Sequence, residues 1–146
     1  MPFILTSANN YDTNGLPIDA MDVLRDRLLN NKWPIYAGTR NRLKLLSGER
    51  VLFYVSSKAV GYKIVANAEI FVARPPNLKD YCISNPSPVH SILSFKNIKF
   101  LKKNIDFKKK LPKLSFAPKN MTKWGVVVLG GCRYVSLTDY MLIMSK

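Results

Sequence analysis

The sequence predicts an α+β fold, a small β-barrel with flanking helices, in a single domain over residues 1–146. The β-rich runs are several and short, and helical patterns lie near the two ends of the chain and after the first strand. No segment is repeated. A βαβ array would need a long helix after each strand, which the pattern does not offer. With 47% hydrophobic and 11% aromatic residues, the chain can bury a core.

The first elements are predicted from turn residues and apolar spacing. Phe3–Leu5 is a short apolar strand. A helix should open at Pro17 and Asp19 and end near Asn30-Asn31, with apolar residues at helical spacing: Met21, Leu24 and Leu28. The following segment, residues 32–38, contains Pro34 and Gly38 and is interpreted as a loop dense in aromatic residues.

The remaining β-rich runs differ in their pattern. Val51–Val55 has no polar alternation, which predicts a central strand covered on both faces. Tyr62–Ala73 is a longer strand that ends before Pro75 and Pro76, because proline cannot donate to a β-ladder. A further strand is predicted at Val89–Leu101, and a short one at Gly125–Leu129. Ser136 or Thr138 should cap a terminal helical turn.

Cysteine and histidine usage excludes several classes of protein. Cys82 and Cys132 do not make a disulfide scaffold, and with one histidine, His90, the chain cannot supply four ligands to a structural zinc ion. His90 lies in a strand-like run and is interpreted as structural. No phosphate-binding glycine loop or hydrolase motif occurs. We therefore expect no metal, no cofactor and no catalytic residues.

The N-terminus lacks the pattern of a signal peptide, and no apolar run approaches the roughly 18 residues of a membrane span. We expect a soluble, cytoplasmic protein that works as a monomer and does not contact a membrane.

Charge is the strongest signal in the composition. The chain has 23 Lys or Arg against 9 Asp or Glu, a formal charge of +14. Residues 90–123 carry ten lysines and one acid, Asp106. Such a segment predicts affinity for a polyanion that falls steeply with added salt. A solvated surface in a lysine-biased organism is the alternative. The lysines expected to contact phosphates are Lys44, Lys102, Lys103, Lys108, Lys109 and Lys110.

A second basic cluster, Arg40, Arg42, Lys44 and Arg50, brackets the segment that contains Trp33 and Tyr36. Flat rings beside cations can hold an unstacked base. The alternative is that Trp33 only seals the barrel, since tryptophan buries a large area wherever it lies. Trp124 is interpreted as structural. If the lysine segment lies on the face opposite Trp33, its charge reflects compositional bias and is not evidence for function.

The order of several short motifs resembles that of an EVE domain, a member of the PUA-like superfamily with PUA, ASCH and YTH domains. The likeness covers nearly the whole chain, and it depends on the order and spacing of the motifs together. In order these are Trp33, Gly38–Arg42 (GTRNR), Leu46–Tyr54 (LSGERVLFY), Ala66–Ile70 (ANAEI), Leu114–Phe116 (LSF), Lys123–Gly125 (KWG) and Gly130–Tyr140 (GGCRYVSLTDY).

The resemblance implies a PUA-like barrel that binds nucleic acid without catalysis and accommodates a modified base in an aromatic pocket. It places Trp33 as one wall of that pocket, Ser7 beside it, and Tyr54 and Val55 on the strand beneath. YTH domains carry further tryptophans in a later loop, where this chain offers Tyr81. The remaining residues expected to contact the base or its phosphates are Tyr36, Thr39, Arg40, Asn41 and Arg42.

Two other functions stay open at this point. ASCH relatives include hydrolases, so the chain could act on RNA or modified nucleosides, with Glu69 or Glu49 as the available acid or base. The other alternative is a protein-interaction module whose lysines serve only solubility. The sequence does not distinguish DNA from RNA, nor one base modification from another.

Overall fold

The computed structural model describes residues 2–12, 14–77, 88–128 and 131–145. In this part of the chain the α-helices are α1 (Ala20–Leu29), α2 (Phe107–Lys110) and α3 (Leu137–Met144). Further 3-10 helices cover Arg42–Lys44, Leu111–Lys113 and Met121–Val128. The strands are β1 (Phe3–Ser7), β2 (Asn10–Tyr11), β3 (Pro17–Ile18), β4 (Trp33–Tyr36), β5 (Arg50–Ser57), β6 (Gly61–Arg74), β7 (Val89–Asp106) and β8 (Cys132–Tyr134).

Six of these strands form one mixed sheet, in the order β4-β7-β6-β5-β1-β8. β1 and β5 run parallel, with Phe3 opposite Val51 and Ser7 opposite Val55, and the other described pairs are antiparallel. The sheet curls strongly into a half-barrel, and the short pair β2-β3 lies apart from it. This confirms the predicted α+β, barrel-like fold.

Strand β5 is covered on both faces, as its apolar run predicted. Val51, Phe53 and Val55 belong to one buried cluster, here called the inner cluster, whereas Leu52 and Tyr54 belong to a second, the outer cluster. Successive side chains of a strand point to opposite faces of the sheet, which places the two clusters on its two sides.

Helix α1 covers the inner face. The Asp19 carboxylate caps it by accepting a hydrogen bond from the Met21 amide at 3.0 Å, and it also accepts one from the Ser57 hydroxyl at 2.7 Å. Met21, Leu24 and Leu28 contribute to the inner cluster, and the helix ends at Leu29 with Asn30 as its C-cap. The predicted buried face and end of this helix are confirmed, and so is Asp19 at its start, but Pro17 lies in β3 rather than in the helix.

The outer face is covered by α2, α3 and the 3-10 helices that follow α2. Phe107, Leu111, Leu114 and Ile143 pack there against the sheet. Ser136 caps α3, because its hydroxyl accepts a hydrogen bond from the Asp139 amide at 3.1 Å. Of the two caps considered from the sequence, the structure uses Ser136. No helix of the described residues has the length and apolar composition of a membrane span.

Two predicted elements are wrong. The segment interpreted as a loop contains β4, which pairs with β7 at the edge of the described sheet, Trp33 opposite Leu93. An edge strand tolerates Pro34, which had suggested a loop. The strand predicted at Gly125–Leu129 lies instead largely in the 3-10 helix Met121–Val128, where Val127 is buried in the outer cluster. A short apolar run does not by itself distinguish a strand from a buried helical segment.

Candidate functional site

Trp33 lies in the core rather than in an open pocket. Its side chain is 2% exposed and belongs to the inner cluster. Its ring centroid lies 5.1 Å from that of Phe53 and 6.3 Å from that of Phe95, and the Arg27 guanidinium lies 5.1 Å from the ring centroid. These neighbours occupy the space that a stacked base would need. The geometry favours the alternative in which Trp33 seals the barrel.

Ser7 and Val55 are brought together, as the resemblance implied. They are register partners at the carboxyl ends of the parallel strands β1 and β5, and both are buried. The Ser7 hydroxyl donates a hydrogen bond to the carbonyl of Ala20 at 2.7 Å. That bond ties the end of β1 to the first turn of α1, so the hydroxyl already has an acceptor within the protein.

Tyr54 does not share a face with Trp33. Its ring packs on Phe107, with centroids 5.3 Å apart, within the outer cluster, and burial raises the pKa of its hydroxyl above the ordinary tyrosine value. Because Trp33 and Tyr54 lie on opposite sides of the sheet, the two rings do not form one slot for a base. The expectation that they act together is corrected by the alternation of side chains along β5.

The segment from Tyr36 to Arg42 forms a tight turn after β4. The Thr39 amide donates to the carbonyl of half-buried Tyr36 at 3.0 Å, and the Arg42 guanidinium donates to the Thr39 carbonyl at 3.5 Å. Asn41 has a left-handed backbone with φ of 58°, a conformation that asparagine tolerates. Thr39 is buried and Arg40 is exposed. The turn therefore presents the Arg40 side chain to solvent.

The charge of Arg40 acts on a second guanidinium, that of Arg133 on β8. Burial lowers the pKa of Arg133, the nearby Arg40 charge lowers it further, and the Asp139 carboxylate acts in the opposite direction. Arg133 lies 4.2 Å from the ring centroid of Phe116 and donates to the Val127 carbonyl at 3.2 Å. Its Nε atom is buried without a hydrogen-bond partner among the described residues.

The lysine-rich segment, residues 90–123, runs from β7 through α2 to the start of the 3-10 helix Met121–Val128. Five of its exposed side chains, here called the lysine layer, form no ion pair within the part of the chain that the structure describes: Lys99, Lys102, Lys103, Lys108 and Lys109. Asp106 is paired with Lys63 at 3.5 Å, and Lys96 with Glu69 at 3.9 Å. Lys108 lies 5.9 Å from the ring centroid of Trp124.

The α2 part of the lysine segment and Trp33 are on different sides of the sheet. Helix α2 packs through Phe107 into the outer cluster, whereas Trp33 belongs to the inner cluster. By the criterion stated from the sequence, the charge of the α2 lysines therefore reflects compositional bias. Lys99, Lys102 and Lys103 fall outside that criterion, because they lie on the strand β7 itself, where successive side chains alternate between the two faces. Lys110 is half-buried, and its Nζ donates to the carbonyl of Ser145. Lys44 is exposed in the first 3-10 helix, and Tyr81 lies outside the described residues.

A groove that sequence reasoning missed opens where β1 and β5 begin and α3 starts. Its volume is about 610 Å³, within the roughly 300–1,000 Å³ of ligand pockets in proteins. It is lined by Pro2, Gly48, Arg50, Tyr134, Leu137 and Tyr140. The sequence signal that could have indicated this groove is the spacing of Tyr134, Leu137 and Tyr140. These two aromatic residues and one apolar residue follow one another at intervals of three around the predicted start of the terminal helix.

Comparison with known proteins supports the fold alone. The chain is similar to Rpa0253 from Rhodopseudomonas palustris, a structural genomics target solved by NMR, with a TM-score of 0.51 and 17% sequence identity. The similarity covers 97% of this chain and 89% of that one. No family model and no curated protein matches the sequence.

Proposed function

We propose that the chain is an EVE-type domain of the PUA-like superfamily that binds nucleic acid, DNA or RNA, without catalysing a reaction. The ordered motifs quoted above support the family, and the curled half-barrel is compatible with it. The observation that carries the proposed binding is the lysine layer, above all its β7 members Lys99, Lys102 and Lys103, which are exposed and form no ion pair among the described residues. The layer continues onto α2, and the acid between the two elements, Asp106, is already paired with Lys63.

Clustered lysines of this kind suit phosphate attraction without sequence readout. An ammonium group is a compact point charge, and phosphate contacts position a nucleic acid without specifying its bases. Each phosphate that a lysine neutralises releases condensed counterions, so the affinity should fall linearly on a log-log plot against salt. A solvated, lysine-biased surface would give no such dependence on these particular residues.

Recognition of a modified base at Ser7, Trp33 and Val55 stays a prediction, and the covered Trp33 ring counts against it. A base could stack there only if Trp33 left its contacts with Phe53 and Phe95. The hydrolase alternative would use Glu69, whose carboxylate is paired with Lys96. We therefore base the proposed function on the charged surface.

The test is a salt titration of oligonucleotide binding, followed by fluorescence anisotropy with labelled single-stranded DNA and RNA. The double variant Lys102→Gln/Lys103→Gln should reduce the slope of log affinity against log salt by about 1.4, because each single-strand phosphate contact contributes about 0.7. The matched control Lys32→Gln/Lys58→Gln removes the same charge from the turns after α1 and β5. Equal slopes for the two variants would mean that the lysine layer is compositional bias. Cleavage of the oligonucleotide by the parent protein would favour the hydrolase.

A further inference from the structure

We infer that the groove between the start of β5 and the start of α3 holds one unstacked nucleobase of a bound single strand, with Arg50 on its phosphate. The class of ligand rests on the proposed function, whereas the location is independent of it. None of the residues lining the groove is among those that the resemblance placed around a base: Pro2, Gly48, Arg50, Tyr134, Leu137 and Tyr140.

Two tyrosine rings give the groove an aromatic surface. Tyr134 is 38% exposed, and its ring is held edge-on by Phe3, with centroids 5.8 Å apart and planes at 70°. Tyr140 is half-buried and packs against the outer cluster. Both rings are anchored on the protein side, so they lose little conformational freedom when a flat ligand stacks on the free side.

Backbone hydrogen bonds fix the walls of the groove. The Gly48 amide donates to the Ile70 carbonyl at 2.8 Å, and the Ile70 amide donates to the Glu49 carbonyl at 2.9 Å. On the other side, the Val135 amide donates to the Pro2 carbonyl at 2.9 Å. The turn before β5 and the segment before α3 are thus both tied to the sheet. The groove is formed before any ligand arrives.

Arg50 supplies the charge that the aromatic surface lacks. Its side chain is exposed and forms no ion pair within the described ranges, and its register partner, Glu69, is paired with Lys96 on the next strand. A guanidinium can fork onto two phosphate oxygens. Flat rings, an apolar wall and one free guanidinium together match a nucleotide, which has a π-face and a single charged group.

The sheet register connects the groove to the lysine layer. Arg50, Glu69 and Lys96 are consecutive register partners across β5, β6 and β7, and one rung further Asn67 lies opposite Lys99. Two strand spacings, about 10 Å, separate Arg50 from Lys96, and three residues along β7 add about 10 Å to Lys99. A single strand with one base in the groove would therefore reach Lys99 within a few nucleotides. Affinity at the lysines and base stacking in the groove can act on the same ligand.

The first experiment uses adenosine 5′-monophosphate as the probe and the backbone amide signals of the ¹⁵N-labelled protein as the readout. Saturable shifts at Gly48, Leu137 and Tyr134 are expected, whereas ribose 5-phosphate, which lacks the base, should shift them far less. Equal shifts with both compounds, or no shifts at these amides, would overturn the inference. Displacement of the monophosphate by a short poly-glutamate peptide at equal concentration would also overturn it, since the groove would then be an acidic-peptide site.

The second experiment measures oligonucleotide affinity. Tyr134→Leu should weaken binding about five- to 150-fold, the range found for one stacked base, while Tyr134→Phe keeps the ring and should weaken it far less. Tyr11→Leu, at another exposed tyrosine, is the matched control. Arg50→Gln, at an exposed residue, should lower the salt slope by about 0.7 even if Tyr134→Leu fails to fold.

The two proposals fail in different ways. If Lys102→Gln/Lys103→Gln lowers the salt slope while Arg50→Gln and Tyr134→Leu bind as the parent does, the groove inference is wrong and the proposed function stands. If the parent binds no oligonucleotide at low salt, the proposed function is wrong, and the monophosphate titration alone decides whether the groove takes a nucleotide.

Discussion

The carboxylate of Asp139 holds Ser115, which lies 24 residues earlier in the chain, by accepting hydrogen bonds from both its backbone amide, at 2.9 Å, and its hydroxyl. Asp139 lies in the first turn of α3 and is 2% exposed. The contact fastens the segment after Leu111–Lys113 to the start of α3. Burial raises the pKa of this carboxyl, but the bonds from Ser115, the cap at Ser136 and the Arg133 charge together hold it below its ordinary value.

Replacing Asp139 should therefore destabilise the domain in a pH-dependent way. Asp139→Asn should lower the free energy of unfolding by about 1.5–3 kcal/mol near neutral pH, the typical contribution of hydrogen bonds to a charged group. A carboxyl whose pKa is lower in the folded state than in the unfolded state stabilises the fold at pH values above the unfolded pKa. That stabilisation is lost as pH falls through the folded pKa. The difference between parent and variant should narrow below about pH 4, as measured by urea unfolding. A constant difference down to about pH 2 would contradict this role.

Substitution of Trp33 should act on stability before it acts on binding. Trp33→Ala removes a buried ring that contacts Phe53 and Phe95, so the free energy of unfolding should fall by about 3–5 kcal/mol in a urea titration. Trp124→Ala is the comparison, because Trp124 is half-buried and should cost less. A stable Trp33→Ala protein that loses preference for a modified base would instead restore Trp33 as a pocket wall.

Local patterns predicted most of the fold. The uninterrupted apolar run of β5 indicated a strand covered on both faces, and the cap at Asp19 with its helical spacing indicated α1. Where local signals conflicted, prediction failed. Pro34 suggested a loop, but the edge position of β4 allows a proline. The apolar run near residue 127 suggested a strand, but it lies in a 3-10 helix from which Val127 is buried in the outer cluster.

The candidate site was less predictable, because it depends on which faces meet. The pairing of Ser7 with Val55 follows from the parallel strands β1 and β5. Nothing in the sequence set Tyr54 on the opposite face from Trp33, since the register across four strands, with its bulges, decides that. The groove joins residues near positions 2, 50 and 137, which become neighbours only in the folded sheet.

Cys132 should be unreactive in the native protein. It is buried in the inner cluster, and burial raises the pKa of its thiol to about 12, so the reactive thiolate is scarce at neutral pH. In a Cys82→Ser background, which leaves Cys132 as the one thiol of the chain, an aromatic disulfide reagent should label it slowly near pH 8 and far faster once urea unfolds the domain.

The same buried thiol should make stability depend on pH. A thiol whose pKa is raised by folding stabilises the folded state at pH values below its unfolded pKa of 9.0, and this stabilisation is lost as pH rises towards the folded pKa. The free energy of unfolding of this background should therefore fall with pH above about 9 more steeply than that of its Cys132→Ala derivative. Rapid labelling at a rate independent of urea would contradict the buried position of the thiol.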